Sequence, residues 1–180
     1  MIKLKLAISA VTVVAAAGVV AVAGSAAPAR TSAPGTIVQV AASNPQFSTL
    51  VSLVKKAGLA GALSKGSLTV FAPTNDAFAY LKAHDPAAYT AATTNASVLK
   101  KVLTYHVVGK KIPASAAIAA AKAGGKVTTL EGEQIALALV GGKIKLNGSA
   151  ATVVKADVPA SNGVIHVINR VLVPPSLAMK

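Results

Sequence analysis

The chain has 180 residues, 18 Lys+Arg against 5 Asp+Glu for a formal charge of +13, and no Cys. That length suits one domain, the lack of Cys excludes disulfides and thiolate chemistry, and five carboxylates leave few ways to build a metal site or an acid–base pair. With only three Phe, three Tyr and no Trp, aliphatic packing must supply most of the stability.

Residues 1–29 contain the three parts of a secretory leader: Lys3 and Lys5, an apolar run from Leu6 to Ala23, and small residues from Gly24 to Ala29. Ser9, Thr12 and Gly18 interrupt the run, which favours cleavage after Ala27 or Ala29 over a permanent membrane helix. Cleavage removes Lys3 and Lys5 and lowers the formal charge from +13 to +11. Residues 30–35 read as a short linker, residues 36–175 as the domain and residues 176–180 as a C-terminal tail. The expected location is secreted or periplasmic, with no stable membrane insertion once the leader is gone.

Thr36 to Val40 opens the domain. Ser43 or Asn44 then caps a helix that carries Pro45 in its first turn and an apolar stripe of Phe47, Leu50, Val51 and Val54, and Gly58 ends it. Leu59 to Leu63 adds a brief helical turn. Thr69-Val70-Phe71-Ala72 reads as a short strand stopped by Pro73, and Thr74 stands where a helix N-cap belongs. Asp76 falls in the first turn of that helix, near the positive end of its dipole, and Phe78 and Leu81 share a face. His84-Asp85-Pro86 breaks the pattern, so Ala87 to Thr94 is expected to be a loosely held helix or loop. A further helix starts near Asn95 or Ser97, turns Val98, Leu99, Val102 and Leu103 inward, and ends at Tyr105-His106 against the core. Ala114 to Ala123 is an Ala-rich helix closed by Gly124-Gly125.

The period then changes to two. Lys126 to Leu130, Gln134 to Val140, Lys143 to Asn147 and Ala151 to Lys155 read as short strands separated by Gly- and Asn-rich turns, an antiparallel meander. Asn162-Gly163 turns the chain once more. Val164 to Val173 is apolar on both faces, so it is expected to be the longest strand, central and covered on both sides. Helices early and strands late predict an α+β fold, an antiparallel sheet or wedge in the C-terminal half packed against several N-terminal helices, with the Thr69 strand joining the sheet.

The run TVFAPTNDAF (Thr69–Phe78), with Phe71, Thr74, Asp76 and Phe78, resembles the first signature box of the fasciclin domain. NGVIHVINRVLVP (Asn162–Pro174), with Asn162, Gly163 and His166, resembles the second, and Tyr105-His106 matches the family's Tyr-His pair between them. The resemblance covers Thr36 to Pro175 and implies an extracellular adhesion or matrix-associated module, not an enzyme. It also implies partner contact at Tyr105-His106 and at an Asp-Ile pair before the second box, here Asp157-Val158. Some members of the family bind pigments, which makes a carrier of an apolar small molecule, held in a groove between helices and sheet, the alternative function.

The residues themselves carry little chemistry. There is no nucleophile elbow, no phosphate-cradling glycine loop and no pair of His at zinc spacing, so no catalytic residue, cofactor or metal is expected. His106 and His166 fall in segments expected to be buried, where an imidazole serves as a hydrogen-bonded core residue, with Thr74 or Asp76 a candidate partner for one of them. The positive charge is nearly all Lys, with pairs at Lys55-Lys56, Lys100-Lys101 and Lys110-Lys111. It suits either a solvated basic surface or contact with anionic cell-surface or matrix polymers. Nucleic acid is not an expected partner, because no stacking, zinc or helix-turn-helix signature is present. A monomer is expected.

Overall fold

The computed structural model describes residues 35–178; the leader, the linker up to residue 34 and the last two residues lie outside them. The described chain is built of eight helices, two short 3-10 turns and seven strands. Helix α1 (Ile37–Ala42) starts at Thr36, whose hydroxyl accepts the Gln39 N–H while the Gln39 side chain accepts the Thr36 N–H, a reciprocal cap. Asn44 caps a 3-10 turn at Pro45–Phe47 that runs into α2 (Ser48–Lys56). A short α3 (Ala60–Leu63) leads to β1 (Leu68–Pro73), all six residues of which are buried.

At the end of β1 the Thr74 hydroxyl accepts the Ala77 N–H and starts α4 (Asn75–His84), so strand becomes helix where Pro73 and Thr74 predict it. The segment expected to be loose is instead a capped helix, α5 (Pro86–Thr94). Asp85 Oδ1 accepts the Ala88 N–H and Pro86 occupies the first turn, where its missing N–H costs nothing. Helix α6 (Ala96–Tyr105) is capped by Asn95 and buries Leu99, Val102, Leu103 and Tyr105. A two-residue strand β2 (Val107–Val108) follows it directly, and then α7 (Ala114–Lys122).

The meander comprises β3 (Lys126–Thr128), β4 (Gln134–Val140), β5 (Lys143–Leu146) and β6 (Ala151–Ala160), and β7 (Gly163–Ile168) completes the set. The strands are ordered β2-β1-β7-β6-β5-β4-β3 in one sheet. It is mixed: β1 runs parallel to β7 from Leu68 beside Gly163 to Pro73 beside Ile168, and the other pairs are antiparallel. Val108 bridges Thr129, and the Leu130 N–H donates to the Val107 carbonyl at 2.7 Å, so the two edge strands meet and the sheet closes on itself.

The longest strand is β6, with ten residues, and not the one after Asn162-Gly163, which stops at Ile168 before a bend. β6 outruns its predicted end at Lys155 because register shifts between Val153 and Lys155 and between Lys155 and Val158 absorb Pro159 and the outward Asp157 within the strand. The expectation that the last strand is covered on both sides holds, since all of β7 is buried.

The pair β1/β7 is a wall between two cores. Leu68, Val70, Ala72, Ile165 and Val167 face a core shared with α1 to α6, and Phe71 and Ile168 face a second core with Tyr105, α7 and the meander. Gly163 lies hard against this wall: a Cβ there would run into the carbonyl oxygen of Leu68. Residues 176–178 of the expected tail belong to α8 (Pro175–Ala178), whose Leu177 packs on the first core.

Candidate functional site

The two signature boxes hold the fold together through side-chain hydrogen bonds that cross long sequence separations. Asn162 Oδ1 accepts the Ile37 N–H at 2.8 Å and its Nδ2 donates to the Leu63 carbonyl at 2.8 Å, tying α1 and α3 to the β6–β7 turn. Asn75, which sequence reasoning passed over between Thr74 and Asp76, joins α4 to α2. Its Oδ1 accepts the Thr49 N–H at 3.1 Å and its Nδ2 donates to the Pro45 carbonyl at 2.9 Å. Asp76 itself is exposed. Phe78 is buried among the helices, and Phe71 lies with its ring centroid 5.7 Å from that of His166.

His106 is 2% exposed and uses both ring nitrogens. Nδ1 lies 2.7 Å from the Val102 carbonyl, and Nε2 accepts the Leu172 N–H at 2.9 Å, which sets the neutral tautomer with the proton on Nδ1. Burial pushes its pKa down to about 4, against a smaller upward pull from the Val102 carbonyl. His166 takes the opposite tautomer. Nε2 donates to the Ile112 carbonyl at 2.9 Å, and Nδ1 accepts the Asp157 N–H at 3.4 Å. Its pKa is also lowered by burial, in part offset by the Ile112 carbonyl and the nearby Asp157 charge. Thr74 and Asp76, expected as candidate partners, bond to neither imidazole, because Thr74 is committed to its own helix and Asp76 points to solvent.

Tyr105 is fully buried in the other core. Its hydroxyl accepts from Asn147 Nδ2 at 2.7 Å and donates to the Gln134 carbonyl at 3.4 Å, fastening the end of α6 to β4 and the turn after β5. Its pKa is raised, first by burial, with Glu133 and Glu131 adding to the rise and the Asn147 bond opposing it.

Asp157 sits at the bulge of β6 with φ 54° and is exposed; its Oδ1 accepts the Ala114 N–H at 2.8 Å and so caps α7. Val158 is half-buried against the first core. Adjacent in sequence, Tyr105 and His106 point into different cores, and of the four residues linked to partner contact only Asp157 stands at the surface.

An apolar cleft of about 30 Å³ lies between α1, α2 and the sheet, lined by Ile37, Val38, Leu50, Val54, Val70 and Leu103, with His106 at its wall. The positive surface is distributed differently. Every described Lys is exposed except Lys145, which is half-buried, while of the five carboxylates Asp85 and Asp157 cap helices and Glu131 and Glu133 each turn one oxygen inward. Among the described residues no cluster of three or more His, Asp or Glu could hold a metal ion, and no helix is long and apolar enough to cross a membrane.

A mixed, closed sheet dividing two cores, with an Asn-Gly turn locking the first helices, defines an α+β domain of the fasciclin type. The sequence model of the fasciclin domain matches residues 45–174, and the chain belongs to that family, known from cell adhesion and surface proteins. It is 52% identical over 141 residues to Protein sll1483 of Synechocystis sp., covering 78% of this chain and 74% of that protein. It is 36% identical over 146 residues to Immunogenic protein MPB70 of Mycobacterium bovis, covering 77% of this chain and 69% of the relative. With transforming growth factor-beta-induced protein ig-h3 of Sus scrofa it shares 36% identity over 143 residues, 79% of this chain but 20% of that protein. Among solved structures, a FAS1 domain pair from the insect cell adhesion molecule Fasciclin I superposes with a TM-score of 0.69 at 19% identity, over 81% of this chain and 53% of that one. That likeness is one of fold.

Proposed function

We propose that the protein is a non-enzymatic surface-association module that works outside the cytoplasm as a monomer, held to anionic polymers of the cell surface or matrix by its lysine-rich exterior. The observation that carries this reading is the imbalance at the surface: lysines project outward while most carboxylates are spent on caps or turned partly inward. Asp157 is the member of the two inherited contact pairs that can meet a partner directly. Tyr105, His106 and Val158 act on such a contact through the fold, by holding α6, β4 and the β6 bulge in place. Family membership supports adhesion over catalysis, and the leader-like residues 1–29 support export.

The carrier reading has the wholly apolar cleft behind α1 in its favour. Against it stands the cleft's volume of about 30 Å³, close to the share of one water molecule and far below the ~300–1,000 Å³ of ordinary ligand pockets.

The test is retention of the protein on immobilised polygalacturonate against dextran over a salt series. Retention on polygalacturonate alone, falling steeply between low salt and physiological ionic strength, where the screening length is about 8 Å, is the expected result. Equal retention on both matrices, or retention indifferent to salt, would refute the reading.

A further inference from the structure

We propose that the outer face of the β3–β6 meander is the docking surface for a linear acidic polysaccharide; this rests on the anionic-polymer reading above and gives it a place. α7 and the second core cover the inner face, where Ile135, Leu137, Ile144, Leu146, Ala151 and Val153 are buried. Strand alternation therefore turns Lys126, Ala136, Ala138, Val140, Lys143, Lys145, Thr152 and Val154 the other way.

The register orders these residues into rows. Ala138 pairs with Lys145 and Lys145 with Thr152, Val140 pairs with Lys143, and Lys126 pairs with Ala136. Lys143 and Lys145 lie two residues apart on one strand, about 7 Å, and Lys126 lies two strands away across the sheet and four residues along from the Lys143 row, which sets Lys126 and Lys143 roughly 17 Å apart. Lys126 and Lys143 are thus separate posts on the outer surface, with small side chains between them; the outward carboxylate of these four strands, Asp157, lies past the register shifts of β6 and is engaged by the Ala114 N–H.

Three features select a polysaccharide. Ala136, Ala138 and Thr152 let a flat chain approach the sheet, and the Thr152 and Thr128 hydroxyls and the Gln134 amide can bond to sugar hydroxyls. Lys126 and Lys143 supply point charges for carboxylates spaced along the chain. The apolar groups on this face, Val140 and Val154, are 50% and 57% exposed but short, and the face has no Trp, Phe or Leu to enter a bilayer. They offer apolar contact to the faces of sugar rings.

The experiment measures binding of the full chain to polygalacturonate, with phosphatidylglycerol vesicles and single-stranded DNA as competing anionic surfaces. Lys126→Ser/Lys143→Ser should weaken polygalacturonate binding about 3- to 10-fold, as expected for two exposed charge contacts. Val154→Glu, which sets a carboxylate on the face, should weaken it at least as much. Lys100→Ser/Lys101→Ser, on exposed positions of α6, removes the same charge and should change binding less than about 2-fold. Melting temperatures of the variants, expected to match that of the parent, separate lost binding from lost fold.

Equal losses in the two Lys doubles would show that net charge and not this face is responsible, and would overturn the proposal while leaving the anionic-polymer reading intact. Tighter binding to the vesicles or to DNA than to polygalacturonate would overturn the choice of occupant. A parent protein that does not bind polygalacturonate refutes the function proposed above, and this inference falls with it.

Discussion

His106 should make the fold sensitive to acid in a way that can be isolated. In the folded protein its ring is buried, bonded at both nitrogens and neutral until the pH approaches about 4. In the unfolded chain it takes up a proton near 6.5. Because the folded value is depressed, the stabilisation is complete above the unfolded value and is lost as pH falls from about 6.5 toward 4. Over that interval of roughly 2.5 units, at 1.36 kcal/mol per unit, the loss is about 3 kcal/mol. His166, whose pKa is lowered as well, acts with the same sign. Urea unfolding followed by far-ultraviolet circular dichroism at pH 7.5, 6, 5 and 4.5 measures it. Comparing wild type with His106→Gln cancels what the two pH curves share, and the difference between them belongs to His106. The variant should be less stable at pH 7.5 by about 1–3 kcal/mol, for the Leu172 N–H and Val102 carbonyl left poorly paired. Between pH 6 and 4.5 its stability should fall less steeply than that of wild type, by up to about 1.4 kcal/mol per unit. Parallel curves would refute the argument, since they would mean that the imidazole is hydrated or already charged in the folded protein.

Phe71→Ala should lower stability by about 3–5 kcal/mol, because the ring fills the second core beside His166 and Tyr105 and few other aromatic residues are available; an unchanged melting temperature would show the first box to be peripheral. Gly163→Ala should destabilise by about 1–3 kcal/mol or more, since the added methyl meets backbone and not a side chain that can swing aside. Denaturant unfolding would detect it, and a neutral outcome would mean that the β1–β7 pair can spread without loss.

Local features of this chain were legible because local chemistry enforces them. Pro73 stops a strand, Thr74 and Asn95 satisfy the first N–H groups of helices, Gly58 takes φ 68° at the end of α2, and the stripe Leu99, Val102, Leu103 can face only inward. The order of Thr69–Phe78, Tyr105-His106 and Asn162–Pro174 was enough to assign the family and with it the α+β class. What only the tertiary structure decided depends on pairing between distant segments. The parallel register of β1 on β7 sends Phe71 into one core and Val70 and Ala72 into the other, a choice that a slip of one residue would reverse. The bulge in β6 shifts Asp157 to positive φ at the surface, where it caps a helix 43 residues earlier in the chain. His106 finds its second partner at Leu172, 66 residues away. Asn162 and Asn75 look like turn residues until the helices they bind are in place. Whether the lysines gather on a face is likewise a matter of strand register, which composition and spacing leave open.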